Sequence, residues 1–160
     1  MQRVFVYGTL RKDQPNHHLI SNGIQSGDCQ FQGLGVTETK YPLVVASRYN
    51  VPFLLDAPNV PNAQNVEGEV YTANEKMMGI LDGLERHPDF YTRCEISVLF
   101  NDKPEKAWCY LMQKFRQPLL QLPFNRKYDS KEHAPYLGGD KRPIGEEARR
   151  NFMAEIKENL

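Results

Sequence analysis

Tyr7-Gly8-Thr9-Leu10 follows directly on an apolar run, Val4 to Tyr7. Gly8 lets the main chain turn sharply there and lets a ligand approach it closely. Successive backbone N–H groups in such a turn can form an anion-binding concavity. Taken alone, the segment also reads as a plain exit from a strand into a loop. A second feature gives it weight. Met78, Leu81 and Glu85 recur at i, i+3 and i+7, on or beside the apolar stripe of Met77, Leu81 and Leu84. A carboxylate on a core-facing stripe is costly unless it is paired or neutral. An acid so placed is a candidate site residue with a tunable pKa, whereas Glu75 and Asp82 are the carboxylates expected to be solvated. The other reading of Glu85 is a helix-end side chain whose stem packs while its head reaches water. From periodicity both readings stand.

Other constellations carry less chemistry. His17 and His18 are adjacent and His87 and His133 stand apart, so no metal-ligand spacing emerges and neither metal nor cofactor is expected. Cys94 and Cys109 fall on neighbouring expected strands and read as reduced thiols without a partnered base. Gly33-Leu34-Gly35 is not a dinucleotide loop, because no helix follows it. Tyr7 and Tyr91 read either as hydroxyls that orient a substrate carboxylate or the Glu85 head, or as core aromatics with satisfied hydroxyls. Tyr128 is a weaker candidate, on a loop that would cover the site. Lys12, Lys40, Arg93 and Arg126 suit an anionic ligand, with surface solvation the default.

The elements that must position these residues are mostly short strands. Val4 to Tyr7 is apolar throughout, as for a strand buried on both faces. A helix is expected from about Pro15 to Ile20, with Gly23 just past its end. Gln30 to Thr39 contains Gly33 and Gly35 and reads as a bent strand or bulge. Leu43 to Ala46 and Val51 to Leu55 read as a hairpin, with Pro52 at an edge. Val66 to Tyr71 is a strand. Thr72-Ala73-Asn74-Glu75 has the form of a capping box, so a helix is expected from Thr72 to about Arg86, ending before Pro88. Tyr91 to Phe100 and Ala107 to Met112 read as a hairpin turning over Asn101 to Lys106. Gln113 to Gly145 reads as an ordered loop, and Glu146 to Leu160 as an amphipathic helix with Ala148, Phe152 and Ile156 on one face. The pattern is α+β: a small mixed β-barrel or strongly curved sheet with two to three packed helices.

Composition bounds the function. The length of 160 residues fits one domain, 1–160, and 40% apolar residues are enough for a core without metals or disulfides. Lys+Arg 20 against Asp+Glu 20 leaves a formal net charge of 0, which argues against a nucleic-acid surface. No segment approaches the ~20 apolar residues of a membrane span. The N-terminal apolar run is too short for a signal-peptide core, and Cys29, Cys94 and Cys109 are too scattered for a disulfide framework, so a cytosolic protein is expected. The sequence does not show the oligomeric state; a monomer is the working expectation.

Several segments together resemble the γ-glutamylamine cyclotransferases. Val4-Phe5-Val6-Tyr7-Gly8-Thr9-Leu10-Arg11-Lys12 and Gln14-Pro15-Asn16-His17 are similar to that family's N-terminus. Tyr41-Pro42-Leu43-Val44, Val66-Glu67-Gly68-Glu69-Val70-Tyr71 and Leu81-Asp82-Gly83-Leu84-Glu85 follow in the family's order, then Tyr91, Arg93 and Tyr128-Asp129-Ser130. Each piece is weak, but the combination is specific over about residues 3 to 130. Residues 131–160, a C-terminal loop and helix extension, depart from the pattern, and no role carries over to them.

The resemblance implies a barrel-based α+β fold, a glutamyl-binding loop at Tyr7 to Leu10, and Glu85 as acid/base. It implies γ-glutamylamines as the small-molecule substrates, including γ-glutamyl-ε-lysine from crosslinked proteins, with 5-oxoproline and free amine as products. The sister family acting on γ-glutamyl dipeptides has Ser-Asn after Tyr-Gly, so Thr9-Leu10 favours the amine branch. The alternatives are that dipeptide activity, or a non-catalytic module binding a γ-glutamyl metabolite.

Overall fold

The computed structural model describes residues 1–133 and 135–158. The chain opens with β1 (Gln2–Val6), α1 (His17–Gln25) and the long β2 (Cys29–Tyr41). The hairpin β3 (Leu43–Ala46) and β4 (Val51–Leu54) follows, then β5 (Gln64–Ala73) and α2 (Glu75–Leu84). A second hairpin, β6 (Thr92–Phe100) and β7 (Lys103–Leu111), precedes an irregular stretch with short 3₁₀ turns at Gln117–Gln121 and Gly139–Lys141, and α3 (Glu146–Ile156) ends it. The strands close into a barrel in the order β1-β5-β2-β6-β7, and β3-β4 forms a separate two-stranded sheet. Closure comes from β1, antiparallel to β5 and parallel to β7 through Val4 and Trp108. The barrel is therefore mixed, as the strand pattern implied.

The apolar run at the N-terminus has a direct structural reason. Phe5 and Tyr7 point into the cluster that fills the barrel, with Val66, Val70, Val98 and Leu111. Val4 and Val6 point outward into a second cluster, under the helices and the β3-β4 hairpin, with Ile20, Met77, Leu81 and Phe53. Successive strand residues face opposite ways, so a strand with core on both sides has to be apolar at every position. β2 bends where its register against β5 shifts between Phe31 and Gly33 and again between Val36 and Lys40.

Several boundaries differ from the sequence expectation. α1 starts later and runs through Gly23 instead of stopping before it. Gly23 is buried there, where an added Cβ would lie 2.7 Å from the Met77 sulfur, so it is a packing notch. The capping box is not used: β5 continues to Ala73, and the N-cap is Asn74, whose side chain accepts from the Met77 N–H at 2.9 Å. α2 ends at Leu84, short of Arg86, and Leu84 is exposed where the stripe put it in the core. The β6-β7 turn is only Asn101 and Asp102, both at positive φ (52° and 62°), a conformation these residue types tolerate. α3 ends at Ile156; the last two positions of the helix expected to reach Leu160 lie outside the described residues.

No helix among the described residues is long and apolar enough to cross a membrane.

Candidate active site

Where β1 leaves the barrel, a cavity of about 250 Å³ opens between its end, the end of α2, the β3-β4 hairpin and the C-terminal segment. Tyr7, Gly8, Thr9 and Leu10 line it on one side, and Glu85 and Tyr91 also border it. The loop is pinned from several directions. The Arg11 N–H donates to Gly8 O at 3.1 Å and the Asn16 N–H to Thr9 O at 2.8 Å. The Asn16 side-chain amide donates to Thr9 Oγ1 at 2.9 Å. The Lys12 N–H donates to the buried Glu69 carboxylate at 3.0 Å, which also accepts from the Tyr71 hydroxyl at 2.8 Å. The Arg11 guanidinium donates to the Tyr128 carbonyl. At Gly8 an added Cβ would lie 2.9 Å from Pro52 Cγ, so the loop packs tightly against the hairpin. Among the described residues, the amides of Gly8, Thr9 and Leu10 donate to no backbone or side-chain acceptor. This turn thus borders the cavity with donors that a ligand can use.

Glu85 caps the C-terminal end of α2. Its N–H donates to Leu81 O at 3.0 Å and its carbonyl accepts from the Tyr91 N–H at 3.2 Å, so its backbone is held on both sides. The preceding turn is anchored through Asp82, which accepts from the Tyr110 hydroxyl at 2.7 Å and lies 3.0 Å from Arg93 Nε. A helix C-terminus is the end that disfavours a carboxylate, so stability does not explain an acid here. The residue is half-buried at the cavity, and its carboxyl has no hydrogen-bond partner among the described residues. Burial pushes its pKa up to about 8, with no compensating cation. Glu85 thus stands at the helix end and borders the cavity.

The tyrosines are arranged differently from one another. The Tyr7 hydroxyl donates to Tyr110 O at 2.7 Å, and the Tyr91 hydroxyl donates to Pro52 O at 2.9 Å. Both pKa values are raised, first by burial and then by nearby groups that include Glu85. Their protons are committed to main-chain carbonyls, so these rings act as cavity wall. Tyr91 stacks on Phe53 with centroids 5.5 Å apart. Tyr128 is fully buried in the barrel cluster and stacks on His133 at 5.6 Å; it does not border the cavity. Its backbone carbonyl accepts from Arg11, next to the loop that does border the cavity.

Residues not singled out from sequence complete the wall. Tyr136, Arg142 and Phe152, all from the C-terminal extension, border the cavity, as do Arg86 and Tyr110. Phe152 packs 5.3 Å from both Tyr49 and Phe90. The Tyr136 hydroxyl accepts from Asn16 Nδ2 at 3.1 Å, which links the extension to the Thr9 loop. The only sequence signal for these was the amphipathic spacing of Phe152 in α3; nothing local marked Arg142. Cys94 and Cys109 are directly paired on β6 and β7, as their strands implied, and all three cysteines are free thiols. Among the described residues no cluster of His, Cys, Asp or Glu is placed to hold a metal ion.

Comparison with known proteins accords with this geometry. Residues 4–132 match the family described as gamma-glutamyl cyclotransferase, AIG2-like. The chain is 42% identical over 135 residues to a putative gamma-glutamylcyclotransferase of Drosophila melanogaster, covering 84% of each chain. It is 37% identical over 142 residues to the gamma-glutamylaminecyclotransferase of Homo sapiens, covering 81% of this chain and 91% of that one. The crystal structure of an AIG2-like protein from Mus musculus superposes with a TM-score of 0.80 at 32% identity, covering 89% of this chain and 99% of the other. On these grounds the chain belongs to the AIG2-like gamma-glutamyl cyclotransferase family.

Proposed function

We propose that this protein converts γ-glutamylamines, such as γ-glutamyl-ε-lysine, to 5-oxoproline and the free amine, with Glu85 as the proton carrier. The observation that carries the reading is an unpaired carboxyl on the same cavity as a turn of unengaged amides.

A γ-glutamyl amide contains its own nucleophile, so no Ser or Cys attack is needed. The α-nitrogen attacks the γ-carbonyl carbon, forming the ring C–N bond. The carbonyl oxygen becomes an oxyanion, for which the Gly8 to Leu10 amides are the fixed donors. Collapse breaks the bond to the departing nitrogen. Across the reaction the α-ammonium gives up two protons and the leaving nitrogen gains two, so it departs as an ammonium and no water is consumed. Glu85 takes the first proton and relays it onward, a role that typically contributes about 10²–10⁴-fold. Holding the glutamyl chain in a near-attack geometry contributes about 7–11 kcal/mol more. With its pKa near 8, Glu85 is mostly protonated at neutral pH in the empty cavity. An arriving α-ammonium favours the carboxylate and prepares the base.

Relatives named for the amine reaction, together with Thr9-Leu10 after Tyr-Gly, support the amine branch over γ-glutamyl dipeptides. The unpaired acid argues against a purely binding module. The test is 5-oxoproline release from γ-glutamyl-ε-lysine and from γ-glutamyl-alanine, with wild type and Glu85→Gln. Turnover of the first substrate and a fall of about 10²–10⁴-fold in kcat for the variant are expected. Near-native turnover by Glu85→Gln would remove the proton-carrier role, and preference for γ-glutamyl-alanine would move the protein to the dipeptide branch.

A further inference from the structure

Arg142 borders the cavity from the segment that follows the family match. Its guanidinium lies over the rings of Tyr49 (4.7 Å), Phe152 (5.1 Å) and Tyr136 (5.4 Å). Its Nε donates to Leu137 O at 2.6 Å. A guanidinium has five N–H donors in a rigid fork, so one is engaged and the plane is held, with the rest available. No carboxylate lies within ion-pair distance of it among the described residues. Arg86 also borders the cavity, and its own pKa is lowered by partial burial and by the like charges of Arg149 and Arg142. Most of Arg86 is exposed, and among the described residues no aromatic ring lies under its guanidinium. Two cations thus border a cavity that Glu85 alone, among the described acidic residues, also lines. Such an arrangement lacks an anion, and Arg forks match carboxylates bidentately.

We propose that Arg142 binds the α-carboxylate of the γ-glutamyl group, which makes the C-terminal extension the part of the chain that recognises the glutamyl head. The inference rests on the cyclisation reading for its substrate. The α-carboxylate is present on every γ-glutamylamine and is kept in 5-oxoproline. Placing it against Arg142 moves it away from the Glu85 carboxylate that must receive the neighbouring ammonium's proton. Glu85 itself feels no cation strong enough to offset its burial, so Arg142 is not there to ionise it.

The decisive comparison is between ligands that differ only in this group. Calorimetry with 5-oxoproline and with 2-pyrrolidinone, which lacks the carboxylate, is run on wild type, Arg142→Met and Arg142→Lys. Wild type should prefer 5-oxoproline by about 10–100-fold, the usual size for charge-assisted hydrogen bonds. Arg142→Met should lose that preference, and Arg142→Lys should recover part of it. The ratio is read within one protein, so a partly unfolded variant does not distort it. In turnover, Arg142→Met should raise KM for γ-glutamyl-butylamine with little change in kcat, and leave its α-carboxamide analogue unaffected. Equal losses on both substrates, or an undiminished preference for 5-oxoproline, would overturn the assignment. So would a loss confined to γ-glutamyl-ε-lysine, which would place Arg142 on the leaving amine's carboxylate. A wild type that prefers 5-oxoproline through Arg142 but releases none from any γ-glutamylamine would sink the cyclisation and leave the subsite standing.

Discussion

Glu85 is costly where it sits, and its cost has a pH signature. Its carboxyl titrates near 8 in the folded chain, against an ordinary value of 4.5. The native state therefore holds a proton that the unfolded state has released between those two values. Stability contributed by this group is fully present below about pH 4.5 and is lost as pH rises toward 8, by up to ~1.4 kcal/mol per unit. Glu85→Gln removes the titration while keeping the shape. Urea midpoints of wild type and variant should agree at low pH, and the variant should gain steadily through neutrality; parallel midpoints across the range would show that the carboxyl is freely solvated. Glu85 was legible in the sequence because an acid beside an apolar stripe conflicts with burial, and such conflicts concentrate at sites. The Tyr7 to Leu10 turn was legible because its elements are consecutive. Arg142 was not, because an arginine in an irregular stretch is ordinary until the fold sets three aromatic rings around it.

At the scale of elements, the apolar β1, the two hairpins and the amphipathic helices could be read from periodicity, but their ends could not. Thr72 had the right neighbours for a cap, yet pairing of Thr72 with Arg3 and Gln30 carries β5 past it, and ladder hydrogen bonds override a local signal. A small barrel or strongly curved sheet was legible from the short strands, but which strands close it was not, since closure depends on approach of backbones remote in sequence. The clearest case is Gly68, which faces Gly35 across β2 and β5. A Cβ at Gly68 would collide with the Val6 carbonyl and come within 2.6 Å of Phe5 Cζ. Backbone cannot yield as a flexible side chain can, so Gly68→Ala should cost about 1–3 kcal/mol, read as a lowered urea midpoint with an unchanged slope. An unshifted midpoint would mean that β1 and β5 are less tightly joined than this register requires.

For the molecule as a whole, the extension after the family match is built into the structure. Arg48 and Glu155 pair at 2.7 Å, the Leu137 N–H donates to Tyr49 O at 2.9 Å, and Phe115 and Lys157 form a β-bridge. Phe152 joins α3 to the aromatic cluster that includes Phe90, Tyr91 and Phe53. Phe152→Ala should destabilise by about 3 kcal/mol, toward the lower end for a buried Phe because one edge borders the cavity. Denaturant titration gives that number, and a change under ~0.5 kcal/mol would mark α3 as loosely attached.

The order in which the chain is made gives this wall one more consequence. Translation delivers two sides of the cavity, the Tyr7 turn and Glu85, well before Tyr136, Arg142 and Phe152 emerge. A chain ending at about residue 132 and freed from the ribosome would hold every barrel strand and still present an open trough. Product release from such a shortened chain should be far weaker than from one that carries Tyr136, Arg142 and Phe152.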